Sequence, residues 1–276
     1  MSNRAGFSLT EVIIGLVVTS IVSASIVQVI TVQSRFMATQ EGRSNARAVA
    51  RGATGLMLSD LRMVQTRGGV VIATADSIVV RVPYAMGLIC GHSGGNTDIM
   101  IQPVDSMTKA QGNANAAGYG WIDSNGTVTY VENGNITLNG GVSSTCTTNP
   151  NPITVLPGAE LHRVQGGIPG GFRGAPVFLS QRISYAFRPS TSVIGRRGLF
   201  RTRVAANDSE ELVAPFDGAA RFRFFEANDP DANDAPPADL NDLRGIELNL
   251  VGVNERAAVA AEAEIAPLRT AVFFNN

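Results

Sequence analysis

No charged side chain occurs between Val12 and Ser34. Most residues of that run are aliphatic, and only Gly, Ser, Thr and Gln interrupt it. A helix over it, rising about 1.5 Å per residue, is about 35 Å long and covers a hydrocarbon core of roughly 30 Å. Arg4 precedes the run and Arg35 follows it. A buried core helix of this composition would need a large protein around every face. A secretory signal has an apolar region of only about 7–15 residues before a small-residue cleavage site, for which Ser23-Ala24-Ser25 is a poor candidate. A plain membrane anchor needs only length and apolarity, and it leaves Glu11 without a reason. An acid in an apolar span costs about 2.5–3.5 kcal/mol at mid-membrane and less near an interface. A carboxylate placed there is a functional-site candidate with a partner to be named.

The residues around that acid read Ala5-Gly6-Phe7-Ser8-Leu9-Thr10-Glu11-Val12-Ile13-Ile14-Gly15-Leu16. They resemble the prepilin signature of type IV pilins and type II secretion pseudopilins. The resemblance implies that prepilin peptidase cuts after Gly6 and that the new amine on Phe7 is N-methylated. It also implies that Glu11 is an assembly carboxylate, meeting the N-terminal amine of a neighbouring subunit. The physical logic agrees, because a cation and an anion at the same apolar end each cost less when paired. Residues 7–66 contain no proline, and Gln28 stands where major type IVa pilins carry a kink-forming one. That departure points away from a major pilin. The implied organisation is a leader at 1–6, a transmembrane half-helix at 7–34, an amphipathic half-helix at 35–67 and an exported β-rich domain at 68–276. The chain would sit in the inner membrane as a single-pass protein, with its C-terminal domain periplasmic or extracellular, before entering a pilus or pseudopilus.

The rest of the chain is nearly neutral, at a formal charge of -1 over 276 residues. No basic excess suggests nucleic acid, and no acidic excess suggests a cationic substrate. Lys109 is the one lysine, which leaves residues 105–160 without the basic patch that DNA capture needs. Two cysteines, Cys90 and Cys146, stand far apart with no CxxC or Cys/His metal spacing. In an exported domain they are candidates for a single disulfide.

The helix should outlast the membrane. Val49, Ala53, Leu56, Met57, Leu61 and Val64 form one stripe on a 3.6-residue period, with Arg47, Arg51 and Arg62 opposite. Gly68-Gly69 would end it. The period then falls to two. Strands are predicted over 70–73, 77–82, 99–104, 120–122, 128–131, 183–187, 199–204, 220–225, 245–251 and 268–274. Asp123-Ser124-Asn125-Gly126 suggests a hairpin turn. The expected fold is α+β, a long N-terminal helix packed on a mainly antiparallel β domain.

Nothing in the remaining residues predicts catalysis, a cofactor or a metal. His92 and His162 lie in no recognisable motif, and the Cys90/His92 spacing does not define a site. Glu210-Glu211 reads as a solvent-facing pair in a turn. The glycine-rich segment 166–174 is a connector, too proline-punctuated to cradle phosphate. The run Asp229-Pro230-Asp231-Ala232-Asn233-Asp234 fails as a calcium loop, with Asp234 where glycine is needed and Leu240 where the bidentate acid is needed. It reads as a solvated acidic loop, with another kind of calcium site as the alternative because Glu226, Asp239 and Asp242 lie nearby.

A more diffuse resemblance covers the distal part. Leu88-Ile89-Cys90-Gly91, Gly198-Leu199-Phe200-Arg201, Leu212-Val213-Ala214-Pro215, Arg221-Phe222-Arg223-Phe224-Phe225 and Leu268-Arg269-Thr270-Ala271-Val272-Phe273-Phe274 follow an order similar to PilW-like minor pilins and GspJ-like pseudopilins. The resemblance implies a minor pilin that takes part in initiating or capping type IV pilus assembly. Its partners would be prepilin peptidase, other minor and major pilins through the N-terminal helix, and an inner-membrane assembly platform. A GspJ-like subunit of a type II secretion system is the alternative, and an adhesive tip subunit is another.

Overall fold

The computed structural model describes residues 9–103, 118–132, 136–138, 146–147, 152–227, 229–253 and 265–274. One helix, α1 (Leu9–Leu61), opens the chain and runs for 53 residues, about 80 Å at 1.5 Å per residue. The strands that follow are β1 (Val70–Ala73), β2 (Ser77–Ser93), β3 (Asn96–Ile101), β4 (Gly118–Ile122) and β5 (Val128–Val131). Then come β6 (Ile136–Leu138), β7 (Glu160–Val164), β8 (Pro176–Pro189), β9 (Arg197–Arg203), β10 (Asp208–Phe216), β11 (Arg221–Glu226), β12 (Leu243–Val253) and β13 (Ile265–Phe273). The pairings among them are antiparallel and link them into one network, so the α+β architecture expected from the sequence is the one observed.

The helix ends at Leu61, short of the 35–67 extent expected from the stripe. Its last turn tightens instead: the Met63 and Val64 N–H groups donate to the carbonyls of Asp60 and Leu61 at 3.1 and 3.2 Å. Gly68 then takes a φ of 70°, which lets the chain reverse into β1. The buried face of α1 is Gly42, Ala46, Ala50, Ala53, Met57 and Leu61, one residue per turn. Small side chains early in that series bring the helix backbone close to the sheet. Leu56, placed by the sequence on the buried stripe, is 47% exposed, while Arg47, Arg51 and Arg62 face solvent as expected.

Long β2 and β8 form the spine and divide the domain into two lobes. In the first, α1 covers β1, the start of β2, the end of β8 and the strands β9 to β13, around Tyr185, Phe216, Phe222 and Phe224. In the second, beyond the helix end, the far half of β2 and the near half of β8 join β3, β4 and β7 around Ile89, Ile99 and Trp121. β8 passes between the lobes by changing neighbours on one edge, from β4 at Val177–Ser180 to β9 at Ile183–Pro189. The hairpin of β4 and β5 closes on Asp123, whose carboxylate accepts from the Asn125 and Thr127 N–H groups at 2.9 and 2.8 Å. That is the turn chemistry the sequence predicted there.

Candidate functional site

The candidate site is the first half of α1. From Leu9 to Met37 every large aliphatic or aromatic side chain is exposed, and none of the most apolar window is buried against the domain. A soluble surface does not carry an apolar area of that extent without a partner or a membrane. Several hydroxyls inside the span bond back onto the helix: Thr19 donates to the Gly15 carbonyl at 2.7 Å, Ser20 to Val17 at 2.8 Å and Ser25 to Ile21 at 2.9 Å. Hydroxyls bonded back onto their own helix add little cost in hydrocarbon, where no water is at hand. The segment is therefore long enough and apolar enough to cross a membrane, and several of its hydroxyls are satisfied by its own backbone.

Glu11 lies in the first turn of α1, where the helix dipole favours a negative charge. Gly6 and Phe7, the expected cleavage and methylation positions, lie outside the described residues. Residues 1–27 match the family model described as the prokaryotic N-terminal methylation motif. This chain carries a prepilin-type N-terminus. The motif implies processing by prepilin peptidase and assembly with other pilins, as a structural subunit does. With the single apolar helix it supports a membrane-anchored, type IV prepilin-like protein whose C-terminal domain lies outside. No curated protein and no solved structure matches the chain.

Elsewhere the structure turns several candidate residues into scaffold. Cys90 and Cys146 are joined by a disulfide across 56 positions. Arg173, in the glycine-rich connector, donates to the carbonyls of both cysteines, at 3.0 Å for Cys146. His92 bridges the Thr97 hydroxyl at 2.7 Å and the Gly171 carbonyl at 2.9 Å, so it fastens that connector to β2 and β3. His162 is buried on β7, with Nε2 3.4 Å from a Glu160 carboxylate oxygen. In the acidic loop, Asp229 accepts from the Asp231 N–H and the Asn233 amide, which hold its carboxyl below the usual range, and Asp234 pairs with Arg223 at 3.0 Å. Among the described residues no group of three or more His, Cys, Asp and Glu is placed to hold a metal ion.

Glu210-Glu211 is a correction. The pair lies in β10 rather than in a turn, and while Glu210 faces solvent as expected, Glu211 is half-buried. Its carboxylate accepts from the Thr191 and Ser192 N–H groups and from the Ser190 and Thr191 hydroxyls. Burial works to raise its pKa, but those four bonds outweigh it and hold the carboxyl below the ordinary value.

One cluster escaped sequence reading. Asp60, on the domain-facing side of α1, accepts from the Tyr185 hydroxyl at 2.6 Å and from Arg201 at 3.2 and 3.3 Å. It ties the end of the helix to β8 and β9. The readable signal was an acid lodged between Met57 and Leu61 in the apolar stripe.

Proposed function

We propose that this chain is a PilW-like minor pilin. Prepilin peptidase removes residues 1–6, Phe7 becomes the N-methylated terminus, and the mature subunit helps to initiate or cap a type IV pilus. Before assembly it rests in the inner membrane as a single-pass protein with its β domain exported. The observation that carries this reading is the division of α1. One half is anchored to the domain through Gly42 to Leu61, and the other presents an unbroken apolar surface behind Glu11. Such a helix serves first as a membrane span and then as the element that packs among equivalent helices of other pilins. The Glu11 carboxylate pairs with the Phe7 amine of a neighbour, which fixes the axial register of the subunit.

The experiment is N-terminal mass spectrometry of the chain from cells with and without prepilin peptidase, followed by immunoblotting of sheared pili. A chain beginning at methylated Phe7 only when the peptidase is present, and found at low abundance in pili, is the expected result. A mature chain absent from pili but needed for protein secretion moves the assignment to a GspJ-like pseudopilin. A chain that keeps its leader removes both.

A further inference from the structure

Most arginines of the globular domain rest on a carboxylate, as Arg81 does on Glu132, Arg163 on Asp98 and Arg223 on Glu247. Arg67 and Arg244 do not: neither forms an ion pair among the described residues. Both line one cleft of about 400 Å³, together with Gln65, Thr66, Gly126 and Val128. The cleft sits where the two lobes meet. Residues 65–67 follow the end of α1, Arg244 is the second residue of β12, and Gly126 and Val128 belong to the hairpin of β4 and β5. Junctions of this kind are a common place for small-molecule sites.

A structural reason for the two arginines is ready to hand and falls short. Cations near a helix C-terminus offset the partial charge of its last carbonyls. Three of the last four carbonyls already have partners here: Leu58 accepts from the Arg62 N–H at 3.1 Å, Asp60 from Met63 and Leu61 from Val64. Arg244 does give one bond to the Asn241 carbonyl, at 2.8 Å, which orients its guanidinium but supplies no counter-charge among the described residues. Two like charges lining one cleft repel each other, and an anion between them reverses the sign of that interaction.

We propose that this cleft binds a small oxyanion ligand, with the carboxylate of an acidic sugar as the class its lining fits. The planar guanidinium groups match a carboxylate, each with two parallel N–H donors. The Gln65 amide is suited to sugar hydroxyls, and Val128 gives the ring an apolar edge. A volume of about 400 Å³ holds one or two sugar rings and lies at the smaller end of ligand sites. The inference does not rest on the assembly role of α1.

The test is isothermal titration calorimetry on the full chain in neutral detergent micelles, with galacturonate, galactose and inorganic phosphate as probes. Galacturonate should bind saturably, and galactose about tenfold or more weaker, since charge-assisted hydrogen bonds are the stronger kind. Arg67→Gln and Arg244→Gln should each weaken galacturonate about tenfold while the thermal unfolding midpoint stays put, which separates lost binding from lost folding. Galacturonate binding no better than galactose, or equal binding by the two variants, overturns the proposal. Phosphate binding with galacturonate excluded overturns the acidic-sugar assignment, in favour of a bare-anion site.

Discussion

Gly252 of β12 lies so close to α1 that a Cβ built on it would stand 2.1 Å from the Ala46 carbonyl oxygen. Backbone meets backbone there, so no side-chain rotation can relieve the overlap. Gly252→Ala has to lift the helix from the sheet or bend the strand, at a cost of about 1–3 kcal/mol typical of overpacking. Gly218→Ala, with nothing within 4 Å of the new methyl, should leave stability near the wild-type value. Denaturant unfolding of both variants in micelles measures the difference, and equal midpoints would show that the helix does not dock as closely as this.

The Asp60, Tyr185 and Arg201 cluster predicts a second effect on the same joint. Tyr185→Phe removes the hydroxyl donor and should cost about 1 to 2 kcal/mol, with Asp60 still held by Arg201. Asp60→Ala should cost more, because it leaves both Tyr185 and a half-buried Arg201 without their acceptor. If unfolding finds the two variants equal, Arg201 is satisfied elsewhere, and Glu210 at 3.9 Å is its available substitute.

All four tyrosines share a displaced titration. Burial raises Tyr84 and Tyr130 to about 12, Arg81 lowering Tyr130 slightly, and burial also raises Tyr119 and Tyr185 above 10.0. The folded state then keeps protons that the unfolded chain releases near pH 10, so folding stability is fully present below that pH and falls as pH climbs from 10 towards 12. An ultraviolet tyrosinate titration should show little ionisation at pH 10 and a late rise coupled to unfolding. Half-ionisation at pH 10 in a chain with native circular dichroism would contradict the burial of these hydroxyls.

The disulfide supports the second lobe, and its loss should be felt there. Closing a loop across 56 positions restricts the unfolded chain by about 4 kcal/mol in the entropy model. Cys90→Ala with Cys146→Ala should lower stability by about 2–4 kcal/mol and free Arg173 from two fixed carbonyls. Hydrogen exchange should quicken first in β2 and β3 near Ile89 and Ile99 rather than under α1. A uniform increase across both lobes would show that the lobes unfold as one unit.

Legibility in the sequence followed the physical signal. The alternation in Ile183-Ser184-Tyr185-Ala186-Phe187 and Phe222-Arg223-Phe224 is strong because one face of each strand is buried, and both segments are strands. β10 begins Asp208-Ser209-Glu210-Glu211, all polar and the first three exposed, so no alternation announces it. β7 puts His162 inward, which a hydrophobic pattern scores as solvent-facing. The pattern predicts a strand over 77–82 that ends before Pro83, yet β2 absorbs that proline at a register shift between Pro83 and Ala85 and runs on to Ser93. The 99–104 strand starts earlier, at Asn96, and Val104 lies outside the described residues. The arginine-lined cleft could not be read at all, because Arg67, Gly126 and Arg244 are brought together only by the meeting of the two lobes.

The last prediction concerns Glu11, the residue that most separates an assembly helix from a plain anchor. Glu11→Ala removes a carboxylate from an apolar span and adds no bulk, so membrane insertion should be unimpaired or slightly favoured. Cleavage after Gly6 should also proceed, since the substitution lies beyond the junction. Entry into the filament should fail, because the Phe7 amine of the adjoining subunit would then be buried among apolar helices without a counter-charge. Breaking such a pair by removing one partner costs about 3–5 kcal/mol, equivalent to a loss of more than about a hundredfold in an association equilibrium. Immunoblots of sheared filaments against membrane fractions measure that ratio directly. Undiminished incorporation of a correctly processed variant would mean that helix packing alone sets the register and that Glu11 serves only the helix N-terminus.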